Sequence, residues 1–173
     1  AWVPGNSGGE SERIIGEWLA ARPGARENLV VATKVSQHPE FRGLAAANVR
    51  AAAEASLERL GVDTIDLYYA HYDDAETPLE ETVAAFDALV ADGLVRYTAV
   101  SNYSAERIRE WVRIARDLGV AEPVAVQPHY NLVHRETEDE IIPAAIELGL
   151  GVVPYYSLAS GFLTGKYRSR ASN

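Results

Sequence analysis

Five short apolar runs divide the chain, and in none of them do polar and apolar positions alternate cleanly. The runs are rich in residues that favour strands, and they cover residues 29–35, 65–71, 95–101, 124–128 and 152–155. Near-continuous apolarity is typical of strands that are covered on both faces, as parallel strands are when helices flank a sheet or surround a barrel. The pattern therefore predicts five parallel strands.

The segments between the runs have the spacing of helices. Apolar residues recur three or four positions apart in most of them, and helices are predicted within residues 11–21, 49–60, 79–90, 108–118 and 137–148. The order is αβαβαβαβαβ without a linker that would mark a domain boundary, so residues 1–173 are predicted to form a single α/β domain. A doubly wound sheet and a (β/α)8 barrel both produce this order, and periodicity alone does not separate them.

Capping signals predict where two of these helices begin. Thr77 is predicted to be the N-cap of the third helix, with Pro78 at the first helical position and Glu80 completing a capping box. The fifth helix is predicted to begin at Thr137. Because proline removes a backbone donor, Pro143 is expected either to bend this helix or to mark where its regular part begins.

Polar side chains stand at the end of every predicted strand. In chain order they are Lys34, His71, Ser101 with Asn102, Gln127 and Tyr155. In a parallel barrel the carboxyl ends of the strands surround one mouth, where active sites lie, so these groups would converge on one cavity. Each also has a structural explanation, since such residues often anchor loops, form turns or extend to solvent. Their coincidence at five strand ends favours a functional site without naming its chemistry.

Composition excludes several classes of function. A net charge of −9 and the lack of a basic cluster argue against a nucleic-acid partner. No apolar run approaches the roughly 18 residues of a spanning helix, so no membrane partner is expected. The absence of cysteine excludes disulfides and thiolate chemistry and fits a cytoplasmic location. Of the 16 lysines and arginines only Lys34 and Lys166 are lysines, so each invites a specific explanation.

Common motifs for cofactors, metals and nucleophiles are missing from the sequence. No strand is followed by GxGxxG, "GNSGGE" does not match a phosphate-binding loop, and no serine lies in a GxSxG context. The four histidines lack the spacing of a zinc site. Asp73 and Asp74 are adjacent loop carboxylates, which are mostly solvated, so no metal site is predicted.

Six blocks of the sequence resemble the aldo-keto reductases, in particular the branch that includes bacterial general reductases and potassium-channel β-subunits. They are "SERIIGEWL", "VATKV", "SLERLGVDTIDLYYAHYDD", "VRYTAVSNYS", "VQPHYNLVHR" and "SLASGFLTGKY", in the family's order and spacing. The resemblance implies a (β/α)8 TIM barrel that binds NADP(H) across its mouth and reduces a small carbonyl substrate, an aldehyde or ketone, to an alcohol. The chain would carry about helix 2 to strand 7, five of the eight strands.

The resemblance assigns catalytic roles to Lys34 and His71. The family's reaction uses a tyrosine that donates a proton, a lysine and an aspartate that tune it, and a histidine that orients the carbonyl. An ammonium group beside a tyrosine stabilises the phenolate and lowers its pKa, which suits Lys34. A histidine can donate a hydrogen bond to the carbonyl oxygen where negative charge develops, which suits His71.

The resemblance also implies a set of cofactor-binding residues. They are Ser101, Asn102, Gln127, Tyr155, Tyr156, Leu158, Ser160 and Lys166. The first three match residues that hold the nicotinamide carboxamide, and Tyr155 matches the aromatic residue that stacks on the nicotinamide ring. Ser160 and Lys166 match positions near the pyrophosphate and the adenosine phosphate. The block around Tyr156 usually contains a proline that is absent here.

Part of the family pattern has no counterpart in the sequence. The chain begins "AWVPGNSGGESE" and has no methionine, so we expect that it is not a complete, unprocessed translation product. The family's aspartate and tyrosine lie in a "DTAxxY" block before this stretch, so the 173 residues alone are predicted to be inactive. Three interpretations stay open: part of an ordinary reductase, an excised fragment whose strand edges pair with another chain as in a homo-oligomer, or a non-catalytic nicotinamide-sensing module.

Overall fold

Five parallel strands form the centre of the protein, for which a computed structural model describes residues 5–167. Residues 5–167 contain seven strands in all, which are β1 (Ala32–Val35), β2 (Gln37–His38), β3 (Phe41–Arg42), β4 (Ile65–Ala70), β5 (Val95–Ser101), β6 (Ala125–Gln127) and β7 (Gly151–Val152). β2 and β3 pair as a separate antiparallel hairpin. The other five form one sheet in the order β1-β4-β5-β6-β7, and every pairing in it is parallel.

The strand order distinguishes between the two folds that the sequence left open. A doubly wound sheet reverses its strand order at a switch point, whereas a barrel adds each new strand beside the previous one. In this sheet each strand lies beside the strand that precedes it in the chain, apart from the hairpin. The α/β class and the parallel sheet are thus confirmed, and the order is consistent with part of a TIM barrel.

Five helices cover one face of the sheet. They are α1 (Glu10–Ala20), α2 (Ala46–Leu60), α3 (Leu79–Ala91), α4 (Ala105–Leu118) and α5 (Ile141–Leu148), and each packs against the next. Phe86 of α3 lies between Tyr68 of β4 and Trp111 of α4, with ring centroids 5.5 and 5.3 Å apart. All three rings are almost fully buried. None of the helices in residues 5–167 has the length and apolarity that crossing a bilayer requires.

The opposite face of the sheet, called the inner face below, carries the residues of interest. Lys34 on β1 is in register with Tyr69 on β4, Tyr69 with Ala99 on β5, and Ala99 with Ala125 on β6. Tyr69, Ala99 and Ala125 form a small buried cluster, separate from the main core under the helices. Since side chains alternate between the faces of a strand, residues two positions further along each strand point the same way.

The predicted N-cap at Thr77 is wrong. The hydroxyl of Thr77 donates a hydrogen bond to Asp74 Oδ2 at 2.8 Å. Pro78 is the N-cap of α3, and its carbonyl accepts from the backbone N–H groups of Glu81 and Thr82. The carboxylate of Asp74 therefore takes the hydroxyl that the capping motif would have used.

The predicted start of the fifth helix at Thr137 is also wrong. Residues Glu136–Glu138 form a short 3-10 turn, and α5 begins at Ile141. The hydroxyl of Thr137 donates to the carbonyl of His129 at 2.8 Å instead of capping a helix. Pro143 lies in the first turn of α5, where a helix does not use the backbone N–H, so it marks where the regular helix begins.

Candidate active site

The structure brings the polar groups that end the strands to one edge of the sheet. Because the five strands are parallel, their carboxyl ends lie at the same edge. Near this edge are Lys34 within β1, His71 just after β4, Ser101 and Asn102 at the end of β5, Gln127 at the end of β6 and Tyr155 shortly after β7. These positions therefore lie at one edge of the sheet, and their convergence on one cavity stays a prediction.

Asn102 joins the ends of three strands through its side chain. Its amide nitrogen donates to the carbonyl of His71 at 2.9 Å and to Ser101 Oγ at 3.1 Å. Its amide oxygen accepts from the hydroxyl of Tyr155 at 2.8 Å. Ser101 Oγ in turn donates to the carbonyl of Gln127 at 2.8 Å. This network holds the ends of β4, β5 and β6 and the segment after β7 in a fixed relation.

The backbone of Asn102 explains why its side chain points across the sheet. Its φ angle is 56°, in the left-handed region that asparagine tolerates better than most residues. Ser36, which follows β1, also has a positive φ of 105°, and its hydroxyl accepts a hydrogen bond from the backbone N–H of Tyr72 at 3.3 Å. Strained backbone is therefore found at two strand ends of the same edge.

Lys34 and His71 lie in a partly desolvated environment that disfavours positive charge. Burial lowers the pKa of Lys34. Burial, with the nearby charge of Lys34, lowers the pKa of His71 to about 4. The imidazole is consequently neutral at pH 7, so it can donate or accept a hydrogen bond without bringing a second cation to the site.

Tyr69 is a site residue that the sequence reasoning missed. The ammonium nitrogen of Lys34 lies 5.3 Å from the centroid of its ring, within the range of a cation–π contact. The residue is 2% exposed, and burial raises the pKa of its hydroxyl. The signal was present in the alternation along β4, which places Tyr69 and His71 on one face, but the partner on β1 depends on strand register.

A second cluster, the aromatic cluster, surrounds Tyr155. The ring of Tyr155 stacks on His129 at a centroid distance of 5.2 Å and an angle of 14°. His129 also stacks on His134 at 3.8 Å, and Tyr156 meets it edge-on at 5.4 Å. Nδ1 of His134 lies 3.0 Å from a carboxylate oxygen of Glu136. One face of Tyr155, predicted to stack on nicotinamide, is thus already occupied by His129.

The remaining predicted cofactor residues lie in the segment after β7. Tyr156 and Ser160 have positive φ angles of 57° and 53°, and Leu158 is 59% exposed. The ammonium of Lys166 lies 4.8 Å from the ring centroid of Tyr167. Hydrogen bonds and ring contacts within residues 5–167 join Tyr156 to the aromatic cluster but do not join Leu158, Ser160 or Lys166 to it.

The two loop aspartates after β4 have structural partners. Asp74 accepts hydrogen bonds from the backbone of Leu44 and from Thr77, both at 2.8 Å. Asp73 forms an ion pair with Arg107 of α4 at 2.8 Å. These contacts fix the loop above His71. Within residues 5–167, no group of three or more histidine, aspartate or glutamate side chains is arranged to hold a metal ion.

Comparison with known proteins shows which family the sequence matches. The sequence model described as "Aldo/keto reductase family" matches residues 7–173. The chain is 37% identical over 163 residues to a "Probable voltage-gated potassium channel subunit beta" of Oryza sativa subsp. japonica, covering 92% of this chain and 50% of that protein.

Two relatives from other organisms are similar to the same extent. The "Uncharacterized oxidoreductase YrpG" of Bacillus subtilis (strain 168) is 38% identical over 170 residues, or 94% of this chain and 52% of that protein. The "Aldo-keto reductase str7" of Strobilurus tenacellus is 38% identical over 171 residues, or 97% of this chain and 49% of that protein. The chain spans about half the length of these relatives. The family model matches nearly all residues of the chain, and the strand order of the parallel sheet is consistent with that match. The chain therefore belongs to the aldo/keto reductase family.

Proposed function

We propose that this chain is the helix 2 to strand 7 part of a (β/α)8 barrel in an NADPH-dependent carbonyl reductase. The intact protein would reduce aldehydes or ketones to alcohols. The observation that carries the proposal is the placement of an amine, Lys34, and a neutral imidazole, His71, on the inner face of two neighbouring parallel strands. A cytoplasmic location fits a protein of this chemistry that contains no cysteine.

The hydrogen-bonding capacity at the strand ends fits a nicotinamide cofactor. The side-chain amide of Gln127 makes no hydrogen bond to another residue within 5–167, and it offers both a donor and an acceptor to a carboxamide. The amide oxygen of Asn102 has two lone pairs, of which Tyr155 uses one. Such a cofactor supplies the hydride for carbonyl reduction.

The other cofactor contacts of the proposal come from the segment after β7. Tyr155 would contact the nicotinamide ring, while Tyr156 and Leu158 would line the path of the cofactor. Ser160 and Lys166 would bind its phosphates, and the exposed ammonium of Lys166 suits a phosphate ligand. The preference for NADPH over NADH is taken from the family resemblance alone, because both cofactors carry the pyrophosphate that such residues could bind.

Residues of this chain would orient the carbonyl group and stabilise the group that donates the proton. His71, neutral at pH 7, would hydrogen-bond the carbonyl oxygen and orient it. Lys34 would stabilise the phenolate of the proton-donating tyrosine. That tyrosine and its aspartate have no match among the 173 residues, so we propose that these residues alone do not turn over.

The test compares the intact protein with the 173-residue chain. The intact protein should consume NADPH with an aromatic aldehyde or a quinone, and the 173-residue chain should not.

In the intact protein His71→Gln should lower kcat by about 10²-fold, in the range for loss of one oxyanion donor. Arg113→Ala on α4, which removes an exposed ion pair with Asp117, is the control. Failure of the intact protein to bind NADPH, followed by its fluorescence, would refute the cofactor assignment. Rapid turnover by the 173-residue chain would refute its inactivity.

A second candidate function is a nicotinamide-sensing module. The name of the rice relative, a probable subunit of a voltage-gated potassium channel, is the observation that favours it. Such a module would retain the cofactor tightly with negligible turnover, whereas a reductase would exchange it in every cycle. Measuring cofactor release and turnover on the same intact sample separates the two functions.

A further inference from the structure

The imidazole of His129 lies in the middle of the aromatic cluster. His134 stacks on it with ring centroids 3.8 Å apart and an angle of 18°, and Tyr155 stacks on it at 5.2 Å and 14°. Ring contacts within residues 5–167 join His129 to each of these two rings but do not join the two rings to each other. His129 therefore separates His134 from Tyr155 in a column of three flat rings.

Tyr156 lies beside this column and leaves the far face of Tyr155 uncovered. Its ring is edge-on to both His129 and Tyr155, with centroid distances of 5.4 and 5.3 Å. A ring on the far face of Tyr155 would lie much farther from His129 than from Tyr155. Tyr155 is itself partly exposed. Because His129 takes one face, a flat ligand that stacks on Tyr155 can use only the opposite one.

Backbone pairing and hydrogen bonds hold His129 against Tyr155. The two residues form a parallel bridge, and the backbone N–H of Tyr155 donates to the carbonyl of Pro128 at 3.0 Å. The carbonyl of His129 accepts the hydroxyl of Thr137 at 2.8 Å. The amide nitrogen of Asn131, a buried residue, lies 3.4 Å from Nε2 of the imidazole. Both the backbone and the ring of His129 are therefore held in place.

Stacking supplies a restraint on Tyr155 that its hydroxyl cannot supply. The hydroxyl donates to the amide oxygen of Asn102 at 2.8 Å, which fixes the tip of the ring. This oxygen lies on the axis about which a tyrosine ring rotates, and rotation about that axis has broad energy minima. A hydrogen bond at the tip therefore leaves the plane of the ring free to turn, whereas a ring stacked on its face fixes that plane.

We propose that His129 is a positioning residue that fixes the plane of the Tyr155 ring and so sets where the nicotinamide of the cofactor stacks. The inference rests on the proposed function, in which Tyr155 contacts the nicotinamide ring. Tyr155 lies between the imidazole and the cofactor, so His129 acts through it without touching the cofactor. Without the imidazole the phenol ring can turn about its axis, and it would then meet nicotinamide at varying angles.

The first test uses the intact protein without cofactor, with its tyrosines labelled for NMR and Tyr155→Phe assigning the signals. Neighbouring rings should shift the ring signals of Tyr155 away from those of free tyrosine. His129→Leu, which lacks a flat ring, should move them towards the free values. His129→Asn should do the same although it keeps a hydrogen-bonding group, whereas His129→Phe should retain the shift. Circular dichroism shows which variants are folded, and either variant without a flat ring is sufficient.

The second test measures, by calorimetry, how the intact protein binds NADPH and adenosine 2′,5′-bisphosphate, which lacks the nicotinamide. His129→Leu should weaken NADPH binding about tenfold, which is the scale of one stacked aromatic pair. It should leave binding of the bisphosphate unchanged, and His129→Phe should restore NADPH binding. His134→Leu removes the ring one position farther from Tyr155 and should weaken NADPH binding less.

Three outcomes overturn the proposal. They are unchanged Tyr155 signals in the variants without a flat ring, equal weakening of both ligands by His129→Leu, and no recovery in His129→Phe. A loss in His134→Leu as large as that in His129→Leu also overturns it, because contact with Tyr155 would then be irrelevant. If the unsubstituted protein does not bind NADPH, the proposed function fails, and the signals of Tyr155 without cofactor still decide whether His129 fixes its ring.

Discussion

At the scale of single residues, desolvation determines the chemistry of the site more than direct ion pairing does. Lys34 and His71 both have lowered pKa values, and burial is the first cause in each case. A buried charged group elsewhere in the protein is stabilised by ion pairs instead. The buried carboxylate of Asp66 is held by Arg26 and Arg96 at 2.7 and 3.0 Å. Burial at the site therefore disfavours positive charge on Lys34 and His71, whereas the hydrogen bond from Val31 and the charges of Arg26 and Arg96 favour the anionic form of Asp66.

His71 should make the protein less stable as the pH falls. Its pKa is about 4 in the folded chain and about 6.5 when unfolded. Between these values the unfolded state binds more protons, so the free energy of unfolding decreases as the pH falls from about 6.5 to 4. Because the ring is only partly buried, we expect a loss of about 1–2 kcal/mol.

Urea unfolding at pH 7 and pH 5 measures this contribution. Carboxylates titrate in both proteins, so the difference between the wild type and His71→Gln isolates the histidine. An equal pH dependence in the two proteins would contradict the prediction.

Lys34→Met should raise the pKa of His71 in an NMR titration, since it removes a nearby positive charge.

Asp66→Asn should destabilise the protein by about 2–4 kcal/mol, since it leaves buried donors without their charged acceptor. Asp66 is 3% exposed and accepts the backbone N–H of Val31 at 2.8 Å. Burial alone would raise its pKa, but the hydrogen bond from Val31 and the charges of Arg26 and Arg96 outweigh burial and lower it. Its contribution is thus present above pH 4 and is lost as the pH falls through the lower folded value.

Denaturant unfolding at pH 7 provides the measurement for this variant. Arg96→Gln is the matched control, because its side chain is 60% exposed. It should cost less than about 1 kcal/mol, as exposed ion pairs do. Equal losses of stability for the two variants would contradict the prediction, since the contacts of Asp66 would then contribute no more than an exposed ion pair.

At the scale of elements, side chains rather than loops hold the strand ends in place. Asn102 connects β4, β5 and the segment after β7, and Asp74 holds the loop after β4 against the start of α2 through Leu44. On the other face, the rings of Tyr68, Phe86 and Trp111 connect β4 to two helices. Side-chain contacts therefore hold the carboxyl-terminal ends of the strands, which carry the site, although these ends are not part of the main core.

Asn102→Gly should loosen the strand ends while keeping the backbone angle of 56° accessible. The variant removes the hydrogen bonds to His71 and Tyr155, at a cost of about 1–3 kcal/mol. Hydrogen exchange should become faster at the backbone N–H of Tyr155, which donates to the carbonyl of Pro128. Asn102→Asp retains the acceptor for Tyr155 and should protect that amide better. Unchanged exchange in the glycine variant would show that the backbone alone holds the edge.

At the scale of the whole molecule, the sheet has two open edges within residues 5–167. β1 pairs only with β4 and β7 only with β6 in this part of the chain. Apolar residues at both edges are exposed, including Val30 at 77% and Val153 at 44%. Open strand edges with apolar side chains are templates for pairing with another chain.

The 173-residue chain should therefore self-associate as its concentration rises. Val153→Lys places a charge at the β7 edge and should weaken association about tenfold, or about 1.4 kcal/mol. Sedimentation velocity over a concentration series measures the effect. Ile146→Lys is the control, because Ile146 is 76% exposed but lies on α5 rather than at a strand edge. A monomer at all concentrations, or an equal effect of both variants, would contradict pairing through the edge.

The sequence by itself determined the type and order of the five sheet strands and five helices and the positions at which these strands end, but not the hairpin of β2 and β3. Apolar periodicity is a local property, so five parallel strands, five helices and the polar residues that follow them could be predicted from it. The six family blocks likewise needed only the linear order of residues. The capping motifs failed where another nearby group competed for the hydroxyl, as Asp74 did for Thr77 and the carbonyl of His129 did for Thr137.

Only the tertiary structure decided which groups meet. The ring of Tyr69 under Lys34, the stack of His129 on Tyr155 and the bond from Tyr155 to Asn102 join residues 26 to 53 positions apart. Strand register and loop paths bring them together, and a one-residue change in register would move a side chain to the other face of the sheet. The lowered pKa values of Lys34 and His71 have the same origin, because desolvation depends on everything that packs around a group and not on its neighbours in the chain.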